Sequence, residues 1–165
     1  MGIDPGLNVT GFGIISVNAT QVRVIAAGDL RPPKGEPLLQ RLEFLHSEVS
    51  HLINRFRPST MVLESLFTHQ RYVATAAAMA HARGVICLAA QEHGLKFAEY
   101  SPARVKKALT GNGNASKTQV ARMVGQWLNH DEPSWSDDAT DALALAIAHL
   151  HMETQRQRLP AGALG

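Results

Sequence analysis

The sequence predicts a single α/β domain built on a mixed five-stranded sheet, with three antiparallel strands followed by parallel ones and helices packed against it. Two observations carry this. Residues 10–17 and 21–27 are neighbouring runs rich in β-branched residues, which read as a hairpin, and from Leu38 onward helix-period and strand-period segments alternate. The 165 residues suffice for one substantial core, and no linker or low-complexity tract divides them. The domain is expected over 1–153, followed by a tail over 154–165 where apolar periodicity is lost.

The elements follow in order. Gly2 and Ile3, before the turn at Asp4-Pro5-Gly6, form the end of a first strand that is antiparallel to the hairpin. Pro32, Pro33, Gly35 and Pro37 mark a loop. Beyond it Leu38, Leu42, Leu45, Val49, Leu52 and Phe56 recur at spacings of three and four, the stripe of a core-facing helix that stops before Pro58. Residues 59–63 form a buried strand with Glu64 as the first polar residue at its exit. An Ala-rich helix spans 72–93 and ends at Gly94, and its Ala76, Ala77, Ala80 and Gly84 let another helix approach, within the chain or from a second copy. Residues 97–100 are the last strand. Ser101-Pro102 then starts a helix, and Ser116 with Gln119 has the form of a capping box that starts another. The final helix begins within 134–136 and buries Ala139, Ala142, Leu143, Ala146, Ile147 and Leu150.

Charge is unevenly spread. Net charge is only +2, yet Lys96, Arg104, Lys106, Lys107, Lys117 and Arg122 are opposed by Glu99 alone. Asp131, Glu132, Asp137, Asp138, Asp141 and Glu153 follow with no base among them. Such a pair of segments can set phosphate-binding groups beside a cation site, or form two solvated surfaces.

Asp4 and Glu64 stand at the exits of two strands, and if those strands are parallel neighbours the carboxylates share the sheet edge where α/β folds bind ligands. Asp138 and Asp141 are three apart on a helix flank and so are neighbours. Four gathered carboxylates repel unless a cation intervenes, and hard oxygen donors favour Mg²⁺ or Mn²⁺ over zinc. Two such ions would suit hydrolysis of a phosphodiester. The same residues also allow a turn aspartate, an ion-paired glutamate and two helix-capping aspartates. Asp137 competes with Asp138 for the inward position, although three residues after Ser134 it fits a capping box.

Gly2-Ile3-Asp4-Pro5-Gly6, Val62-Leu63-Glu64 with Phe67 three on, Ala82-Arg83-Gly84-Val85, the Gly111 to Val120 stretch and Asp138-Ala139-Thr140-Asp141-Ala142-Leu143-Ala144 together resemble the RuvC-type Holliday-junction resolvases, in order and spacing from Gly2 to about His151. The resemblance implies an RNase H-like fold and a homodimer with two active sites. It also implies Mg²⁺-dependent nicking of two strands of like polarity in a four-way DNA junction, during recombination and repair, with RuvA and RuvB as branch-migration partners. By motif, Asp4, Glu64, Asp138 and Asp141 become the catalytic, metal-binding set, with Asp138 selected over Asp137. Lys106 and Lys117 match basic positions near DNA, and Phe67 matches an aromatic set against unstacked bases. Lys107 and Arg71 are further candidates for DNA contact, and His69 lies in the same loop. The family places more apolar residues before the aspartate, so either the first strand is short or residues before Met1 are missing.

No apolar run reaches the roughly 18 residues that span a bilayer, and no signal peptide is visible. Cys87 has no partner for a disulfide and reads as a buried thiol, in keeping with a cytoplasmic protein.

Overall fold

The computed structural model describes residues 1–18, 21–65, 73–129 and 135–158. Strands β1 (Gly2–Asp4), β2 (Thr10–Asn18), β3 (Gln21–Leu30), β4 (Thr60–Glu64) and β5 (Lys96–Tyr100) form one sheet in the order β3-β2-β1-β4-β5. The first three are antiparallel, while β4 runs parallel to β1 and β5 parallel to β4. The mixed sheet predicted from the sequence is therefore the one observed. Short β1 is held on both sides, pairing with β2 over all three of its residues and with β4 through Gly2 and Ile3, and Val62 N–H extends that ladder by donating to Met1 O at 2.9 Å.

Among the described residues five helices cover the sheet: α1 (Leu38–Phe56), α2 (Val73–Glu92), α3 (Pro102–Thr110), α4 (Lys117–Leu128) and α5 (Asp137–Arg158). Alternation along each strand divides the core in two. Ile3, Ile14, Met61 and Leu63 face α1 and α2, where they meet Leu45, Val49 and Ile86. Val22 and Val62 face the other way, toward Val105, Leu109, Val124, Leu143 and Ile147 of α3, α4 and α5. Leu45, Leu63, Ile86 and Leu143 are fully buried, each contributing about 1.5–3 kcal/mol through removal from water. Because Asp4 and Glu64 are two residues beyond Gly2 and Val62, both carboxylates leave the sheet on the α5 face.

Helix α5 sits against that face through its backbone. A Cβ on Gly2 would stand 2.0 Å from Ala142 O, one on Gly11 2.0 Å from Asp138 O, and one on Gly13 2.8 Å from the Leu143 nitrogen and side chain. Glycine is required at these three strand positions by close approach. The helix is buried around most of its girth because α3 and α4 cover its outer side, and Ala139, Ala142, Leu143, Ala144, Leu145, Ala146, Ile147 and Ala148 are all buried.

Local signals mostly hold. Ser101 Oγ accepts from Arg104 N–H, and Ser116 with Gln119 forms the reciprocal capping box. Gly94 takes φ 66° just past α2, a left-handed value that suits glycine. Three expectations change. Helix α5 continues to Arg158, past the tail boundary set at 154, and Glu153 and Arg156 pair on its last turns at 3.7 Å. The final helix begins at Asp137, with Ser136 Oγ accepting from Ala139 N–H at 3.1 Å and Ser136 O from Thr140 N–H at 2.9 Å. Asp137 is thus the first helical residue, not the third of a helix capped by Ser134. Leu38 is the third correction: the start of the α1 stripe is 39% exposed, and its neighbour Leu39 is 77% exposed.

Candidate active site

The loop after β1 is fixed before any ligand is considered. Thr10, fully buried at the start of β2, accepts from Gly6 N–H at 3.2 Å and donates from the same hydroxyl to Gly6 O at 2.7 Å. Gly6 itself has no room for a side chain, since its Cβ would stand 2.2 Å from Val9 O. Asp4 therefore emerges at the base of a closed turn. Glu64 is anchored from the opposite face, where Arg83 of α2 donates to the Glu64 backbone carbonyl at 2.6 Å and to the Glu99 carboxylate. Arg83 is 8% exposed, so the end of β4 is held by a largely buried guanidinium. In the sequence Arg83 stands out only as part of the Ala82-Arg83-Gly84-Val85 motif.

Asp138 and Asp141 come from the first turn and a half of α5. Strand β3 helps hold that turn: Asp29, paired in register with Gly11, accepts from Ser136 Oγ at 2.5 Å and from Arg31 Nη2 at 2.6 Å. The polar residue Asp29 near a strand end gave no sequence signal separating it from a solvated position.

These elements bring the four predicted carboxylates together. Asp4 has its pKa pushed from 3.8 to about 7, first by burial and then by the negative charges of Asp141, Glu64 and Asp138. Glu64 is raised by burial and by Asp141, and Asp138 by burial, Asp29 and Asp141. Two lysines oppose the accumulated charge. Lys117 Nζ lies 3.1 Å from Asp141 Oδ2, its pKa raised chiefly by that hydrogen bond, and it also lowers the pKa values of Asp4, Glu64 and Asp138. Lys106 likewise lowers that of Glu64. The basic and acidic segments thus meet in space. Asp137 is exposed while Asp138 is half-buried against the sheet, and Lys107 is exposed on the outer side of α3. Phe67, His69 and Arg71 lie outside the described residues.

The donor set suits a hard divalent cation. It consists of carboxylate oxygens without a thiolate, and burial together with the set's negative charge keeps Asp4 near 7 despite the positive charge of Lys117. Among the described residues no three His, Cys, Asp or Glu side chains stand as a ready coordination shell. Histidine has other work: His149 Nδ1 shares a 2.7 Å hydrogen bond with Tyr100 OH, and His151 lies against the Trp127 ring.

A mixed sheet in this strand order, with carboxylates at the ends of β1 and β4 and on a helix crossing the same face, defines an RNase H-like nuclease domain. The comparisons then narrow the class. The family model for crossover junction endodeoxyribonuclease RuvC matches residues 1–149. A crossover junction endodeoxyribonuclease RuvC from Moorella thermoacetica is 42% identical over 158 residues, which are 96% of this chain and 94% of that protein. The RuvC structure from Thermus thermophilus in complex with Holliday junction substrate has 32% identity and a TM-score of 0.87, covering 94% of both chains. The yeast mitochondrial Holliday junction resolvase, at 14% identity and TM-score 0.71 over 94% of this chain and 79% of that one, shares the fold. This chain belongs to the RuvC family of crossover junction endodeoxyribonucleases. No helix among the described residues is long and apolar enough to cross a membrane.

Proposed function

We propose that this protein resolves four-way DNA junctions by metal-dependent hydrolysis of phosphodiester bonds in two strands of like polarity. The observation that carries the proposal is the convergence of Asp4, Glu64, Asp138 and Asp141 on one sheet face beside Lys106 and Lys117, in a chain whose relatives are named for this activity. The four carboxylates would hold Mg²⁺, with Mn²⁺ able to substitute, as two ions per site. Held by these residues, such ions would supply Lewis-acid activation of a water and charge stabilisation for the leaving oxygen of a phosphodiester. The chain's own groups do the rest. Asp4 and Glu64, fixed by the Gly6–Thr10 turn and by Arg83, present oxygens from a rigid edge, while Asp138 and Asp141 close the site from α5. Lys117, released from Asp141, and Lys106 hold phosphate oxygens of the bound strand, with Lys107 contacting the backbone farther out. Phe67 stacks on an opened base and Arg71 meets the adjoining backbone.

Two such sites act together when the protein is a homodimer. The outer face of α2 suits the contact: Ala77, Ala80, Gly84 and Leu88 are exposed, Leu88 at 50%, and nothing lies within 4 Å of where a Gly84 Cβ would be. RuvA and RuvB as partners and work in the cytoplasm belong to the same reading and rest on family membership.

A synthetic four-way junction tests the proposal. With Mg²⁺ or Mn²⁺ the protein should nick it symmetrically and leave linear duplex largely intact, and Glu64→Gln should abolish cleavage while junction binding persists. Absence of cleavage with either metal while binding remains would refute the enzymatic reading.

A further inference from the structure

A concave site of the opposite charge is lined in part by the loop that follows Asp4. It is a cavity of about 450 Å³ lined by Asn8, Val9, Arg31, Pro32, Lys34 and Arg41, drawn from the loop after Asp4, the segment after β3 and the first turns of α1. Its cations are poorly compensated. Arg41 Nη2 donates to Leu7 O at 2.7 Å and to Asn8 Oδ1 at 2.5 Å, two neutral acceptors, and its Nε is buried without an acceptor among the described residues. The guanidinium is thus held in place without being neutralised. Lys34 makes no ion pair among the described residues, and Arg31 alone has a carboxylate partner, Asp29. With its oxygen on Arg41, the Asn8 amide keeps its NH₂ as a further donor. Val9 and Pro32 add apolar surface beside these donors.

The volume exceeds what a lone phosphate needs and falls within the range of small-molecule pockets. Three cations and an amide in one lining with the apolar residues Val9 and Pro32 match a nucleotide: the charged groups suit the phosphate, and Val9 with Pro32 offers surface to the sugar or base. Continuity gives the source. The cavity shares the loop that follows Asp4, and Arg31 binds the same Asp29 that accepts from Ser136 at the start of α5. A strand lying across the carboxylates would reach this cavity within a short run of backbone.

We propose that this basic cavity is a strand-holding subsite that seats one nucleotide of the junction strand flanking the scissile phosphate, its backbone phosphate bound by Lys34, Arg41 and Arg31. The proposal rests on the junction-cleaving reading and adds a DNA contact outside the Lys106–Lys117 side of the site. Lys34 is exposed and bonded to nothing in the described structure, so Lys34→Gln leaves the fold intact, whereas Arg41→Lys keeps charge while losing the guanidinium contacts to Leu7 and Asn8.

The test measures junction binding by the full-length protein in Ca²⁺, over a series of salt concentrations, for wild type, Lys34→Gln and Arg41→Lys. Lys34→Gln should weaken binding several-fold and flatten the slope of log affinity against log salt by about 0.9, the signature of one lost phosphate contact. A scan of single neutral methylphosphonate linkages around the cut site should then find one position that weakens wild type but has little further effect on Lys34→Gln. Arg41→Lys should retain the slope with reduced affinity. Unchanged affinity and slope in Lys34→Gln, or additive losses at every neutral linkage, would overturn the subsite, while wild-type binding and cleavage report separately on the proposed function. Competition of wild-type junction binding by a free 5′-mononucleotide, with no methylphosphonate position coupled to Lys34, would assign the cavity to a small ligand and likewise reject the strand-holding role.

Discussion

Replacing Asp4 with Asn should make the metal-free protein more stable and catalytically dead. Asp4 is raised from 3.8 in the unfolded chain to about 7 in the fold, so above pH 7 folding must bury an already ionised carboxylate among three others in a partly desolvated place. At about 1.36 kcal/mol per pKa unit, the full difference corresponds to roughly 4 kcal/mol. Partial solvent access and side-chain relaxation reduce this to about 2 kcal/mol, or roughly 4–8 °C in Tm for a chain of this size. The sign follows from proton binding: between pH 3.8 and 7 the folded state holds a proton the unfolded state has lost, so wild-type stability is fully present below 3.8 and falls as pH rises through about 7. Asn cannot ionise. Its advantage should therefore be greatest at pH 8 and vanish by about pH 4. Thermal unfolding of both proteins in EDTA from pH 4 to pH 8.5 measures this, and a parallel series with Mg²⁺ should stabilise wild type more than Asp4→Asn. A variant no more stable than wild type at pH 8, or a gain of the same size at pH 4 and pH 8, would refute the electrostatic account of the cluster.

Other expectations follow from the supports of the site. Gly11→Ala places a Cβ 2.0 Å from Asp138 O and must displace α5, so it should cost about 1–3 kcal/mol in thermal unfolding and lower cleavage more than junction binding. Arg83→Ala frees the Glu64 carbonyl and should cost about 1–2 kcal/mol, discounted because Glu99 is 46% exposed, with a larger fall in kcat than in binding and partial rescue by Arg83→Lys. Lys117→Met should change metal-free stability by less than about 1 kcal/mol, since the lysine is 78% exposed, yet weaken junction binding and lower its salt dependence by about one phosphate contact.

The sheet and the strand-exit positions of Asp4 and Glu64 were legible because β-branched runs, punctuating prolines and the first polar residue after an apolar run are local signals. Whether those residues met depended on β1 and β4 being parallel neighbours, a nonlocal fact that only the register Gly2 with Val62 and Ile3 with Leu63 supplies. Periodicity could not choose between Asp137 and Asp138, since both fit a helix start. Exposure and the Ser136 cap separate them, and motif resemblance had made the same choice. The roles of Asp29 and Arg83 leave no local signal because each acts across elements, one from a strand end to a helix cap and the other from a helix to a strand carbonyl. Gly11 and Gly13 were read as ordinary strand residues, although two glycines spaced by two share one face and can mark a close contact.

That contact gives the two faces of the sheet different tolerances to change. On the α1 and α2 side, interdigitated Leu, Ile and Met side chains can exchange volume by altering rotamers, leaving the strand exits where they are. Where α5 crosses Gly2, Gly11 and Gly13 there is little to repack: peptide groups rest against strand backbone, and one added methyl moves the helix with both of its aspartates. The protein can therefore drift or be engineered for stability on one wall while the spacing of its acidic edge stays set, on the other, by the thickness of a peptide plane.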